Sequence, residues 1–175
     1  MSSENVQHRS SAKPAPLPAQ VSIRPLQLRD RVPLHQLLTK DGLFTREEIS
    51  VALELIDAAL AEPGGEYRVL CADLNGALAG YICYGPTPMT EGTWDLYWIA
   101  VHPDARGGGL ARALTTRMED EVRAVGGRLV RVETSRLDGY GAARAFYERL
   151  HYPVVAEMLD FYRPGDDLLV MLKRL

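Results

Sequence analysis

The sequence has little of what defines several protein classes. It has two cysteines, too few for the disulfide framework of a small secreted domain. Its 20 Lys and Arg residues are outnumbered by 23 Asp and Glu residues, so it lacks the cationic surplus of nucleic-acid modules. No apolar run approaches the ~20 residues that a membrane-spanning helix needs. We therefore expect a soluble, cytoplasmic protein that binds neither nucleic acid nor membrane.

The chain divides into a tail and one domain. Its first 20 residues are rich in serine and proline and contain almost no bulky apolar side chains, which predicts a disordered tail over residues 1–20. The remaining residues, 21–175, have the length of one folded domain.

Apolar periodicity within 21–175 predicts a strand, two helices, three strands, a helix, a strand, a helix and two strands. This order indicates an α/β fold with a mixed central sheet, antiparallel first and parallel where a helix connects two strands. Thr45 and Glu48 have the spacing of a capping box at a helix start. Asn75-Gly76 is typical of a two-residue hairpin turn.

The two cysteines, Cys71 and Cys83, fall on the two strands of that hairpin. With Asn75-Gly76 as the turn, Cys83 pairs with Arg68, an odd number of residues from Cys71. The two thiols are then predicted on opposite faces of the sheet, where they cannot form a disulfide. We expect two reduced, buried cysteines.

A glycine run stands between a predicted strand, which ends at Val101, and a predicted helix, which begins at Leu110. Unobstructed N–H groups and the helix dipole suit such a place to a phosphate, and Arg106 adds a positive charge. The sequence is neither a nucleotide P-loop nor a GxGxxG fingerprint. An ordinary tight turn is the alternative.

Two motifs resemble those of the GNAT superfamily of acyl-CoA N-acyltransferases. The first is RGGGLA at 106–111, preceded by IAVHPDA, and the second is AARAFYERLHY at 142–152. The resemblance covers about residues 21–175. It implies a central sheet splayed between its fourth and fifth strands, with acetyl-CoA as the co-substrate in the gap and no metal.

The resemblance also implies roles for individual residues. Ile99, Ala100 and Val101 would pair with the pantetheine arm, and Tyr147 would bind the cofactor and protonate the departing thiolate. A packing role is the alternative for Tyr147. Main-chain N–H groups would bind the CoA pyrophosphate at Arg106, Gly107, Gly108, Gly109, Leu110 and Ala111.

The chain departs from the family pattern at two positions. Tyr140 stands where many relatives have asparagine, which puts a side-chain hydrogen bond to pantetheine in doubt. His151 replaces the usual glycine before Tyr152. Because glycine readily adopts a positive φ, we expect the end of this helix to be shaped differently.

Acylation of an amine requires a group that accepts its proton. Asp95 is the first candidate, and strand alternation predicts that it shares a face with Tyr97, Ile99 and Val101. Glu133, at the end of the next strand, is the second candidate. A solvated or salt-bridged carboxylate is the alternative for both.

The identity of the acceptor amine is less constrained. Acidic residues near the C-terminus could recognise a cationic amine, although ordinary turn chemistry is favoured; they are Glu157, Asp160, Asp166 and Asp167. Aromatic residues could line an acceptor pocket or pack in the core; they are Tyr84, Trp94, Trp98, Phe161 and Tyr162.

These observations predict an acetyl-CoA-dependent N-acetyltransferase that acts on a small or amino-acid-like primary amine by direct attack in a ternary complex. One alternative is a non-catalytic acyl-CoA sensor or interaction domain. Another is an enzyme that acts on peptide or protein amines. Dimers are common in the family, so a homodimer is possible.

Overall fold

The computed structural model describes residues 20–40, 42 and 44–175. The predicted tail, residues 1–20, lies outside these residues except for Gln20. Seven strands of the described chain form one mixed sheet in the order β1-β2-β3-β4-β5-β7-β6. They are β1 (Val21–Pro25), β2 (Arg68–Leu74), β3 (Ala77–Pro86), β4 (Thr93–Val101), β5 (Leu129–Ser135), β6 (Val154–Arg163) and β7 (Asp166–Arg174).

Helices cover both faces of the sheet. They are α1 (Arg31–Lys40), α2 (Arg46–Ala61), α3 (Leu110–Ala124) and α4 (Gly141–Arg149), with short 3-10 helices at Leu28–Asp30, Pro103–Ala105 and Asp138–Tyr140. One buried cluster joins α3 and α4 to one face, and a second joins α1 and α2 to the other. No helix in the described ranges is long and apolar enough to cross a membrane.

The predicted α/β class and mixed sheet are confirmed, and the local signals account for several boundaries. Thr45 and Glu48 form the predicted capping box, since each side chain accepts the other's backbone N–H, at 3.2 and 2.7 Å. Asn75 and Gly76 both have positive φ, as the predicted hairpin turn requires.

The sheet splays where the resemblance implied. β4 and β5 are parallel and pair only from Thr93–Leu129 to Leu96–Val132. Beyond that point β4 continues to pair with β3 as far as Val101, and β5 continues to pair with β7 as far as Ser135. We call the point at which β4 and β5 separate the fork.

A bulge in the hairpin changes the predicted position of the cysteines. The register follows the turn as far as Asp73–Leu78 and then shifts by one residue, so that Cys71 pairs with Tyr81 and Cys83 with Val69. The prediction that the thiols face opposite sides was wrong: both lie in the cluster under α1 and α2. They are diagonal neighbours and both are free, so the prediction of reduced cysteines is confirmed.

A second bulge, in β4, corrects the predicted surroundings of Asp95. Cys83 pairs with Trp98 and Tyr84 with Leu96, which leaves Tyr97 as the extra residue. Asp95 and Tyr97 therefore lie on the α1 and α2 side. Ile99 and Val101 lie on the α3 side, which contradicts the expected alternation.

The end of α4 also differs from expectation. His151 has φ +66°, the left-handed conformation that a glycine would supply, so the helix ends in the usual way despite the substitution. The N–H of Tyr152 donates to the carbonyl of Tyr147 at 3.0 Å. His151 itself is exposed.

The two thiols should react only after unfolding. Burial raises the pKa of Cys71 and of Cys83 to about 12, so the nucleophilic thiolate is scarce in the native protein. We predict negligible labelling by a disulfide reagent at pH 8 and labelling of both thiols in guanidinium chloride.

The same shift gives a pH dependence of stability. Because unfolded thiols have a pKa near 8.5, the unfolded state loses these protons first, and the free energy of unfolding falls as pH rises from about 8.5 towards 12. In the labelling experiment, fast reaction of the thiols in the native protein, at a rate independent of denaturant, would contradict the burial of the two cysteines.

Candidate active site

The predicted glycine loop leads directly into the first turn of α3. Gly107 has φ +79° and Gly109, the residue that precedes the helix, has φ +82°. Both angles are unfavourable for residues with a side chain. In the described chain no side chain caps this helix end, so its first N–H groups have no side-chain partner there, while the buried Leu110 anchors the turn in the core. The arrangement suits a phosphate.

Arg106 connects this loop to the end of β4. Its Nε donates to the carbonyl oxygen of Val101 at 3.2 Å, across the short 3-10 helix Pro103–Ala105. The glycine loop therefore lies beside the part of β4 that has separated from β5. This brings together the predicted pyrophosphate and pantetheine segments.

Lys40 reaches the same end of the sheet, which sequence reasoning missed. Its Nζ lies 2.9 Å from Nε2 of His102 and 3.9 Å from a carboxylate oxygen of Asp104. His102 Nδ1 accepts a hydrogen bond from the backbone N–H of Asp104 at 3.3 Å. The backbone N–H of His102 donates to the carbonyl oxygen of Ala79 at 2.8 Å. No local signal indicated that the end of α1 meets this turn, because the contact spans 62 residues.

Below the fork, the carboxylate of Asp95 accepts hydrogen bonds from two side chains. Its Oδ1 accepts from Arg131 Nε at 2.6 Å, and its Oδ2 accepts from Thr87 Oγ1 at 2.8 Å. The carboxyl is 6% exposed, so both contacts are largely sheltered from water. The pairing with Asp95 raises the pKa of Arg131. Asp95 thus links β4 to β5 on the last stretch over which the two strands pair.

Glu133 is the first residue of β5 past the fork and lies on the same face as Arg131. Its carboxylate is 3.5 Å from Arg131 Nη1, and its side chain is 43% exposed. Tyr97 flanks the opening from β4. Burial, followed by the charge of Asp95, raises the pKa of Tyr97 to about 12. This face of the fork therefore carries two carboxylates, one arginine and one protonated phenol.

Arg144 fixes α4 to the other side of the opening. Its Nη1 donates to the carbonyl oxygens of Ser135 and Leu137, both at 2.8 Å. Tyr147 follows one turn later and packs against Phe146 and Tyr152, with ring centroids 5.2 and 5.9 Å away. Burial raises the pKa of Tyr147, and no residue in the described ranges hydrogen-bonds its hydroxyl.

Tyr140, the departure from the family's asparagine, has a partner of its own. Its hydroxyl donates to Glu48 Oε1 at 2.8 Å and so connects the segment before α4 to the first turn of α2. Burial and this carboxylate raise the pKa of Tyr140 to about 12. The sequence showed Glu48 only as half of a capping box, so this long-range role was missed.

The acidic residues of β6 and β7 already have partners within the chain. Asp160 Oδ1 accepts the N–H of Gly165 at 2.6 Å, and Asp167 Oδ1 accepts the N–H of Asp160 at 2.9 Å. Asp166 accepts from Ser135 Oγ at 2.5 Å. Glu157 contacts Arg136. The contacts of Asp160 and Asp167 agree with the turn chemistry that the sequence favoured, whereas Asp166 and Glu157 contact the segment around residues 135–136.

The aromatic candidates divide between the two faces. Tyr84 and Trp94 are buried in the cluster beneath α3, with ring centroids 6.0 Å apart. Trp98 packs against Phe44 on the α1 and α2 side at 5.6 Å. Phe161 and Tyr162 are exposed on β6. Core packing thus accounts for Tyr84 and Trp94.

Among residues 20–40, 42 and 44–175, no group of three or more His, Cys, Asp or Glu side chains is arranged to hold a metal.

Comparison with known proteins identifies this architecture. Residues 32–152 match the sequence profile of the acetyltransferase (GNAT) family, and the chain belongs to that family. A GNAT-family protein of known crystal structure from Desulfovibrio desulfuricans is 41% identical, with a TM-score of 0.85 over 88% of this chain and 98% of that one.

Two further relatives extend the comparison. A Salmonella typhimurium protein, solved with its cofactor acetyl-CoA, shares the fold at 23% identity and a TM-score of 0.69, covering 89% of this chain and 94% of that one. A curated acetyltransferase from Pectobacterium atrosepticum is 31% identical over 86 residues, which are 49% of this chain and 57% of that relative. The match thus spans little more than half of the curated relative.

Proposed function

We propose that this protein is an N-acetyltransferase that transfers the acetyl group of acetyl-CoA to a small or amino-acid-like primary amine, by direct attack in a ternary complex. The observation that carries this proposal is the fork in the sheet beside a glycine-capped helix start. An extended amide chain that ends in a phosphate fits these two features in sequence. Acetyl-CoA supplies the activated acetyl group there.

The chain's own residues would hold the donor from two directions. The N–H groups of the first turn of α3, together with the positive end of that helix, suit a pyrophosphate, which residues 106–111 would hold. Among the described strands, none pairs with the β5 side of β4 at residues 99–101, so the backbone groups there are placed to bind an amide chain. A main-chain N–H there can polarise an acyl carbonyl.

Tyr147 is proposed as the acid that protonates the leaving thiolate. Its phenol is protonated at neutral pH, as a proton donor must be, and burial raises its pKa further above that range.

For the base, Asp95 remains a prediction and Glu133 is the alternative that the contacts favour. Both oxygens of Asp95 already accept hydrogen bonds, which suits it to positioning Arg131. Glu133 lies past the fork and is open to water.

The surroundings of the fork support a cationic acceptor. Partial burial raises the pKa of Tyr162, and the negative charges of Glu133, Asp166 and Glu48 raise it further, so these three carboxylates lie near one half-exposed ring. Such a surface attracts an ammonium group.

The free thiols support a reducing, cytoplasmic compartment. The exposed outer edge of β6 is available for a homodimer.

Calorimetric titration with acetyl-CoA tests the donor. We expect saturable binding that Arg106→Ala weakens about tenfold to a hundredfold, because a hydrogen bond to a charged group is lost. Arg174→Ala, at the opposite end of the sheet, is the matched control and should bind normally. Absence of binding would refute the proposal, while binding without thiol release from any amine would favour the sensor.

Tyr147→Phe tests the acid. We expect kcat to fall about 10²-fold to 10⁴-fold with little change in acetyl-CoA affinity, as for the loss of a proton donor. Tyr152→Phe is the control, because it also removes one buried hydroxyl, bonded to Glu119 at 2.8 Å. A kcat within threefold of the wild type in Tyr147→Phe would leave this residue a packing role.

Paired variants distinguish the two carboxylates. We expect Glu133→Gln to lower kcat and flatten its rise between pH 6 and 9 without changing Tm, because that side chain is exposed. Asp95→Asn should instead lower the free energy of unfolding by about 1–3 kcal/mol through Arg131. If Asp95→Asn flattens the pH profile and Glu133→Gln does not, Asp95 is the base.

A further inference from the structure

A pocket of about 500 Å³ opens at the far end of the sheet from the glycine loop. It forms because β1 leaves β2 after Pro25, with one further bond from the Leu26 N–H to the Val69 carbonyl at 3.2 Å. The chain then turns into the Leu28–Asp30 helix, and the end of α2 closes the other side. Residues that line it include Leu26, Leu28, Leu60, Tyr67, Arg68 and Glu121. We call it the Arg68 pocket.

Arg68 is the unusual member of this pocket. Its guanidinium lies over the indole ring of Trp94, 4.7 Å from the ring centroid, which holds the side chain in one orientation. Its Nε is buried and has no hydrogen-bond partner within the described ranges. A buried donor on a charged group is costly to leave unpaired, so its retention points to an acceptor that the chain itself does not supply.

The nearby carboxylate does not neutralise Arg68. Glu121 Oε2 accepts from the hydroxyl of Tyr84 at 2.6 Å, and its Oε1 accepts from Arg117 Nε at 2.8 Å. Glu121 is therefore balanced by Arg117, and the pocket keeps the positive charge of Arg68 among lining residues that are mainly apolar. A phosphate dianion fits poorly, because it would meet a single cation with a carboxylate beside it.

We propose that the Arg68 pocket binds a small carboxylic acid with an apolar chain, its carboxylate on Arg68 and its chain along Leu26 and Leu60. The volume lies within the range of small-molecule sites. Glu121 is 11 residues along α3 from Leu110, about 16 Å at 1.5 Å per residue, so this site is separate from the glycine loop. The inference does not depend on the proposed acetyl transfer.

Hexanoate is a suitable probe, and Trp94 is the reporter. The chain has two tryptophans, so Trp98→Phe leaves Trp94 as the fluorophore. We expect a saturable fluorescence change with a dissociation constant on the order of 1 mM or below. Hexanol, which has the same chain without the charge, should bind at least about tenfold more weakly.

Arg68→Met keeps an apolar stem over Trp94 and removes the charge, and it should weaken hexanoate about tenfold to a hundredfold. Arg174→Met, in the same Trp98→Phe background, should bind hexanoate normally. If Arg68→Met does not fold, the comparison of hexanoate with hexanol on the parent protein still decides the proposal. Equal affinities for hexanoate and hexanol, equal affinities of the parent and Arg68→Met for hexanoate, or no saturable change would each overturn it.

A second titration, at saturating acetyl-CoA, locates the probe. Unchanged hexanoate affinity supports a separate site. Loss of hexanoate binding would mean that the probe occupies the groove at the fork, and this would overturn the Arg68 pocket while leaving the proposed acetyl transfer standing.

Discussion

The separation of β4 from β5 is the constraint on which the candidate site depends. Each of the two strands remains paired on its outer side beyond the fork, β4 with β3 and β5 with β7, so neither loses its place in the sheet when they diverge. The backbone groups that face the gap lose their ladder partners, and buried polar groups of this kind need another partner. A peptide-like chain inserted between the strands would supply one, which is why this gap suits an extended amide.

The bulge at Tyr97 gives the fork two chemically different faces. Without it, Asp95, Tyr97, Ile99 and Val101 would all lie on one side of β4. With it, the carboxylates and Tyr97 lie under α1 and α2, while Ile99 and Val101 lie towards the start of α3. A donor held at α3 and an acceptor drawn to the carboxylates would therefore approach the gap from opposite sides. The Asp95–Arg131 pair links the two strands just below the point where they separate.

The structural features that the sequence predicted correctly each depend on a few neighbouring residues. The Thr45 capping box, the Asn75-Gly76 turn and the glycine loop before α3 are all local, and all appear in the structure. The two bulges were not predicted, because strand alternation assumes an uninterrupted ladder and an extra residue in one strand breaks that assumption. Each shifts the register by one residue, and this is enough to reverse a face: it misplaced Cys83 relative to Cys71, and Ile99 relative to Asp95. The Tyr140–Glu48 bond could not be predicted either, because it joins residues that are 92 positions apart in the sequence.

The left-handed conformation of His151 shows that tertiary contacts determine the end of α4. A non-glycine residue at this φ costs roughly 1–2 kcal/mol, so some other interaction must offset the cost. Tyr152 supplies it: its ring is fully buried against Tyr147, and its hydroxyl donates to Glu119, which also accepts from Lys173 at 2.8 Å. Because Tyr152 must reach this network, the preceding residue has to turn sharply whether or not it is glycine. The contact that forces the turn is the one against which Tyr147 packs, so the same burial ends the helix and positions the proposed acid.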